Sequence, residues 1–335
     1  MKVGSITEEL RSNSSCVNKF ILSTLEGRPK RLYRASAHYI VSGGKRLRPF
    51  MVIKSCEMFG GNSKRAMPAA AAVELVHNFS LVHDDIMDND DMRHSVPTVH
   101  RSYGLPLAIL AGDILFSKAF QILAVNGRKE GITEKAISDM VERLSTACIY
   151  VCEGQATDVY MALNKRLSLG SQYINMIGKK TAALFGLSCT LGVLSAPRST
   201  DRDVNNLLTF GKNVGVAFQL VDDLIGVVGD PNITGKAVGN DIREGKKTYP
   251  ILLALKKARG QSKEKILKVF GSKKTSSIDL KEAVKIISEI GIDVEIRKAA
   301  KEHIRRAIKS IEFYKESDAK RALEASANFI VERSL

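Results

Sequence analysis

Two short stretches of this chain concentrate carboxylates at the ends of apolar runs. The first, Leu81-Val82-His83-Asp84-Asp85-Ile86-Met87-Asp88, closes an alanine- and valine-rich run that begins near Ala66. At 3.6 residues per turn, Asp84 and Asp88 project from one face of a helix, with Asp85 about 100° round. Carboxylates this close repel one another, and beside an apolar run they are costly unless cations neutralise them. Hard oxygen ligands in such a cluster suit Mg²⁺, which keeps waters and bridges to substrate phosphates. A solvated acidic helix end, continued by Asn89-Asp90-Asp91, is the bland alternative, and one DDxxD alone does not decide. The second stretch, Phe218-Gln219-Leu220-Val221-Asp222-Asp223, closes the apolar segment Val214–Val221. Gln219 shares a helix face with Asp222 and Asp223 by i+3 and i+4 spacing. Two such clusters facing one another across a helical cavity would cage a metal-bound diphosphate.

Cations complete the set. Gly43-Gly44-Lys45-Arg46-Leu47-Arg48-Pro49 is a glycine-flexed loop entering a helix, with Lys45 and Arg48 one turn apart. Free N–H groups at a helix N-terminus beside cations are ready anion sites. Arg93 follows the first acidic cluster, Lys179-Lys180-Thr181 interrupts an apolar helix, and residues 235–248 (GKAVGNDIREGKKT) form a cation-rich segment with Lys236 and Lys246. Singly, each basic cluster reads as surface. Together with two acidic helix ends, they point to a magnesium-dependent diphosphate site with an oily interior.

The elements that must position these residues are helical. Ala/Leu/Ile-rich segments at 31–41, 49–59, 65–92, 105–125, 133–163, 169–193 and 201–228, with several more after 248, are broken by Gly, Pro or Asn. Alternating β-branched runs closed by Asn-Gly turns are missing. Leu280, Val284 and Ile287 give helical spacing, with Asp279 and Glu282 as the expected capping box and Gly291 as the stop. The expected fold is therefore all-α: one domain over 1–335, with ten or more helices around a central cavity, a motif-bearing core at about 31–250 and C-terminal helices over 251–335.

Hydrophobic residues make up 44% and charged residues 26% of the 335, which excludes a disordered or fibrous chain. Five scattered cysteines without a CxxC pair argue against a disulfide scaffold or zinc ribbon and suit a reducing, cytoplasmic setting. MKVGSITEELRSNSS lacks the apolar core of a secretory signal. No run of about 18 apolar residues is uninterrupted, so no bilayer span is expected. Net charge is +15, and residues 256–335 hold 20 Lys/Arg against 12 Asp/Glu, or +8 of it. The alternation of those charges with apolar positions reads as a solvated helix face. Peripheral membrane contact is a lesser alternative, and no nucleic-acid partner is expected.

GGKRLRP, LVHDDIMD, Lys180-Thr181, FQLVDD and GKAVGNDIREGKKT, in this order and spacing, resemble the trans-isoprenyl diphosphate synthase family, and most of all its archaeal-type short-chain members. The resemblance implies an isoprenoid-synthase-like helical fold and a prenyltransferase. Such an enzyme condenses isopentenyl diphosphate with an allylic diphosphate, head to tail. It implies that Asp84, Asp85 and Asp88 hold two Mg²⁺ ions and that Asp222 and Asp223 hold a third. Arg93, Lys180, Thr181, Gln219, Lys236 and Lys246 would serve the allylic diphosphate, with Lys180, Thr181 and Gln219 nearest the reacting carbons. Gly44, Lys45, Arg48, His77 and His94 would form the isopentenyl diphosphate site. A homodimer is the family's usual form.

Two positions depart from the family pattern. His94 stands where a second arginine is usual, and a neutral imidazole is a weaker phosphate partner. Gly226 stands where the second acidic motif usually has a third aspartate, and Asp230 or Asp241 would have to substitute through water. By resemblance, Phe79, five residues before Asp84, forms the floor of the elongation pocket beside the small Ser80. This combination implies geranylgeranyl diphosphate as product, with a farnesyl or longer chain, or a catalytically silent partner subunit, as alternatives. On an ideal helix Ser80 lies nearly under Asp84 and Phe79 about 140° away, so spacing alone does not make Phe79 the floor. His83, His38 and His100 read as structural, and Asp113 as a buried structural acid.

Overall fold

Helix α1 (Val3–Thr24) places Ile6, Leu10, Val17 and Ile21 on one buried stripe. It lies upstream of every segment named from the sequence, because serines, asparagines and charges separate its apolar residues. The computed structural model describes residues 3–93, 95–163, 170–229, 239–272 and 275–332. After α1 come α2 (Lys30–Val41), α3 (Leu47–Met58), α4 (Ser63–Met87), a two-residue hairpin of β1 (Met92–Arg93) and β2 (Val96–Pro97), α5 (Val99–Tyr103), α6 (Leu105–Lys129) and α7 (Glu134–Leu163). Then follow α8 (Ser171–Ile177), a π-helical turn (Gly178–Ala182), α9 (Ala183–Ser195) and α10 (Asp201–Val228). The remaining helices span Asn240–Glu244, Tyr249–Lys257, Gly260–Val269, Ser277–Glu289, Ile292–Ile311 and Asp318–Glu332. The all-α expectation holds, and most of the expected segments match a helix to within a few residues.

The elements group into two compact units. One comprises Met1–Ile149, Leu184–Gly211 and Ser310–Ser326, and the other Tyr150–Ala183, Lys212–Lys309 and Ala327–Leu335. The core of the first unit is built on α4. Asn62 caps that helix, its side chain accepting from the Arg65 amide at 2.9 Å. Residues 69–73, together with Leu75 and Val76, are fully buried, so the helix is apolar nearly all round and must be central. It packs along α3 and α6, where Ala108, Ala111, Leu115 and Ile122 complete the cluster. A helix so enclosed is a rigid mount for the carboxylates at its C-terminal end.

Two local readings change. The cap of Ser277–Glu289 is Ser276, whose Oγ accepts from the Asp279 amide at 3.1 Å; Asp279 is its third residue rather than its start. Asp113 is exposed, because Ala111 and Gly112 take the buried face of α6 and the next residue turns outward. Leu105–Lys129 and Ser171–Ser195 are long and apolar enough for a membrane span, although neither is an uninterrupted apolar run. The second is 78% buried within the protein and carries Lys179 and Lys180, as a core helix does.

Candidate active site

In the first unit, Asp84 and Asp85 lie in the last turn of α4 and Asp88 is the residue that caps its end. Asp84 is half-buried and Asp88 exposed, one turn apart on the same face. Asp85 is fully buried, and both its oxygens are engaged. The Tyr39 hydroxyl of α2 donates to Oδ2, while Arg93 of β1 donates to Oδ1 through Nε at 2.7 Å and approaches it through Nη2 at 2.6 Å. Burial, then Asp85 itself, pushes the Tyr39 phenol above its ordinary value, so the proton stays on the tyrosine. Arg93 is thus tied to the acidic cluster, by a hairpin in which it pairs with Val96. His94 lies outside the described residues.

The basic loop enters α3 through three positive-φ residues on either side of Lys45: Gly43 at 106°, Gly44 at 135° and Arg46 at 49°. Lys45 is exposed at its tip. Arg48 is half-buried, its guanidinium 4.4 Å from the Phe185 ring centroid. His77 lies on α4, half-buried, two turns before Asp84. Phe79 joins a row of rings, with His83 at 4.8 Å, Phe116 at 5.2 Å, and Phe120 beyond Phe116 at 5.1 Å. Ser80 is half-buried and donates to the His77 carbonyl at 2.8 Å. The ring row adds Phe116 and Phe120 of α6 to the candidate floor. Sequence reading missed both, since they lie 37 and 41 residues from Phe79 and only the pairing of α4 with α6 joins them.

In the second unit a continuous hydrogen-bonded chain runs across three helices. The Thr181 hydroxyl donates to Gln219 Oε1 at 2.7 Å, and Gln219 Nε2 donates to Asp223 Oδ1 at 2.7 Å. The buried Tyr173 hydroxyl donates to Asp223 Oδ2. Burial dominates at Asp223 and, with Asp241 and Asp222 adding, lifts its carboxyl to about 7 against the pull of Tyr173 and Gln219. Asp222 is half-buried. Lys180 pairs with Asp158 of α7 at 2.7 Å. Lys179, Lys180 and Thr181 all sit in the π-helical turn, a geometry that recurs at functional sites. Gly154 permits this: a Cβ there would stand 2.3 Å from the Lys180 amide nitrogen. Sequence reading missed Tyr173 and Asp158; the Gly154-Gln155-x-x-Asp158 spacing was the available signal for the latter.

At the second departure from the family pattern, a Cβ on Gly226 would lie 2.4 Å from Asp241 Oδ2. Asp241 therefore fills the space beside residue 226. Lys246 reaches Glu244 at 2.8 Å, whereas Asp230 and Lys236 lie outside the described residues.

Among the described residues, no three His, Cys, Asp or Glu side chains converge closely enough to cage a metal by themselves. The donor set still fits magnesium, which is commonly held by one or two carboxylates with waters and substrate phosphates completing its octahedron. Asp84 with Asp88 in one unit, and Asp222 in the other, have that character.

A helical fold with aspartate pairs on two apolar helices and a glycine-lysine-arginine loop defines the isoprenoid-synthase class of helical proteins. A family model for polyprenyl synthetase matches residues 29–287, and the chain belongs to that family. It is 42% identical over 320 residues to the geranylgeranyl diphosphate synthase of Sulfolobus acidocaldarius, covering 95% of each chain. The crystal structure of geranylgeranyl pyrophosphate synthetase from Pyrococcus horikoshii Ot3 matches with a TM-score of 0.91 and 37% identity over 100% of both chains. A geranylgeranyl pyrophosphate synthase from Corynebacterium glutamicum, complexed with isoprenyl diphosphate and magnesium, matches with a TM-score of 0.83 at 27% identity, covering 99% of this chain and 100% of that one.

Proposed function

We propose that this protein is a magnesium-dependent prenyltransferase that condenses isopentenyl diphosphate head to tail with allylic diphosphates and releases geranylgeranyl diphosphate, residues 1–335 acting as one synthase domain. The observation that carries the reading is the paired construction of the carboxylates. One Asp-Asp pair lies in the last turn of α4 and the other inside α10, five residues before its end, and in each the second residue is pinned by a tyrosine hydroxyl. The geranylgeranyl diphosphate synthases to which the chain is similar give the product class.

Asp84, Asp85 and Asp88 in one unit and Asp222 and Asp223 in the other would hold the magnesium, three ions in all. Asp85 and Asp223 are also held in orientation by their tyrosines, and a carboxylate oxygen that accepts one hydrogen bond keeps a lone pair for a metal. Magnesium, when bound, stabilises the charge that develops on the departing diphosphate. The chain's own cations, Lys180 and the lysines of the 235–248 segment, add to that stabilisation. Lys180 does so by exchanging its contact with Asp158 for a phosphate oxygen. Gln219 and the carbonyls of the π turn offer dipoles to the allylic cation, and Thr181 holds the Gln219 amide in orientation. Gly44, Lys45, Arg48, His77 and His94 bind isopentenyl diphosphate. The released diphosphate accepts the last proton, so no side-chain base is assigned. The exposed apolar residues of α6 (Leu105, Ile109, Leu110 and Val125) are covered by a second copy in a homodimer.

The test is product analysis. Purified protein is incubated with Mg²⁺, labelled isopentenyl diphosphate and dimethylallyl diphosphate, and the dephosphorylated alcohols are sized by chromatography. A dominant twenty-carbon alcohol is expected. Fifteen carbons, or more than twenty, keep the chemistry and overturn the length assignment. No product with any allylic primer favours the silent-subunit reading.

A further inference from the structure

Arg46 stands between Lys45 and Arg48 in the loop, yet it points the other way. Lys45 is exposed, whereas Arg46 is only 8% exposed. Its φ of 49° is a left-handed conformation that a non-glycine residue keeps only where the surroundings over-determine it. They do so here. Nε donates to Asn18 Oδ1 of α1 at 2.8 Å, and Nη1 donates to Glu74 Oε1 of α4 at 2.8 Å. Nη2 donates to the Tyr39 and Ile40 carbonyls at 3.3 and 2.9 Å, at the C-terminal end of α2 where a cation is favoured. One guanidinium thus joins α1, α2 and α4 to the residue that caps the start of α3, using the planar fork that lysine lacks.

Glu74 is the anionic half of this latch. It is 2% exposed, and Asn78 donates to its Oε1 at 2.9 Å and to its backbone carbonyl at 2.8 Å. Burial raises its carboxyl, while Arg46 first and Arg48 second draw it back down. Arg48 therefore lies in the field of the same carboxylate. Glu74 also precedes His77 by three residues on α4, so the latch fixes the loop to the helix turn that bears the fourth residue of the subsite.

We infer that Arg46 is the positioning residue of the isopentenyl diphosphate subsite: by neutralising Glu74 and locking the loop in its left-handed turn, it leaves Lys45 and Arg48 aimed at a diphosphate. Without it, Glu74 is a buried carboxylate left with the Asn78 bond alone, and Arg48 is the other cation that acts on it. The inference rests on the assignment of Lys45, Arg48 and His77 to that subsite.

The experiment compares wild type with Arg46→Gln, Arg46→Lys, the double variant Arg46→Gln/Glu74→Gln, and Lys45→Gln as a control on the subsite itself. KM is measured separately for isopentenyl diphosphate and for the allylic primer, and folding is followed by thermal melting. Arg46→Gln should raise the isopentenyl diphosphate KM tenfold or more, with the allylic KM within twofold. Arg46→Lys should recover part of the loss, since an ammonium pairs with Glu74 without reaching the two carbonyls and Asn18 as well. The double variant should recover folding and leave a several-fold rise, because no stray carboxylate remains to draw Arg48 aside. If Arg46→Gln does not fold, the double variant carries the comparison. An isopentenyl diphosphate KM equal to wild type, or an equal rise for both substrates, overturns the inference. If Lys45→Gln also leaves that KM unchanged, it is the subsite assignment that has failed instead.

Discussion

Asp85 and Asp223 are each the second carboxylate of an adjacent pair, and each accepts from a buried tyrosine that comes from elsewhere in the chain. The pairs themselves are visible in the sequence because spacing fixes the face of a helix. The tyrosines are not, since Tyr39 is 46 residues from Asp85 and Tyr173 is 50 from Asp223, distances that only tertiary packing closes. Among the described residues, Tyr39→Phe leaves Asp85 with Arg93 as its remaining side-chain partner. Removing one donor to a buried carboxylate costs about 1–3 kcal/mol, so urea unfolding should show a loss in that range; a change under about 0.5 kcal/mol would show that the tyrosine is incidental. At Phe79 the structure adds what spacing did not contain, a ring row continuing into Phe116 and Phe120. Phe79→Ala should lengthen the products, and Phe79→Ala with Phe116→Ala should lengthen them further; chromatography showing an unaltered chain-length distribution would place the floor elsewhere.

Helices were legible wherever an apolar stripe was dense, as in α4, α6 and α10. The π turn at Gly178–Ala182 was not, because one extra residue in a turn has no compositional signature. Gly154 is its counterpart on α7, and the atoms nearest a Cβ there are Lys180 backbone, which cannot swing aside. Gly154→Ala should therefore destabilise by about 1–3 kcal/mol through overpacking, read as a lowered melting temperature; an unchanged one would mean that the two helices separate freely. Helix Ile292–Ile311 carries a pH response. Burial, with Arg306 adding, lowers the His303 imidazole below its ordinary value, and its Nδ1 lies 2.9 Å from Asn213 Oδ1. A lowered folded-state pKa means that the unfolded chain takes up the proton first as pH falls. The contribution is whole above the unfolded value of about 6.5 and is lost as pH drops below it towards the folded value. Urea unfolding between pH 7.5 and 5 should show that decline steeper in the wild type than in His303→Gln; parallel curves would acquit the histidine.

Over the whole molecule, most helices were legible, whereas α1 and the division into two units were not. Helix periodicity reports which face is buried, but not which other element buries it. The same holds for the exposed side of α6, where Leu105 and Leu110 are 50% and 48% exposed in the single chain. In the proposed homodimer, a Leu110→Lys variant should elute at half the mass of wild type in size exclusion with light scattering, and a mass unchanged by it would rule out α6 as the proposed interface. Finally, Gly226 and Asp241 bear on how such a chain can change over time. A side chain cannot be added at 226 without turning the Asp241 carboxylate out of its place. The two positions are thus epistatic: an aspartate introduced at 226 is tolerated best where 241 has already changed. Scanning one residue at a time would record 226 as intolerant, when the constraint belongs to the pair.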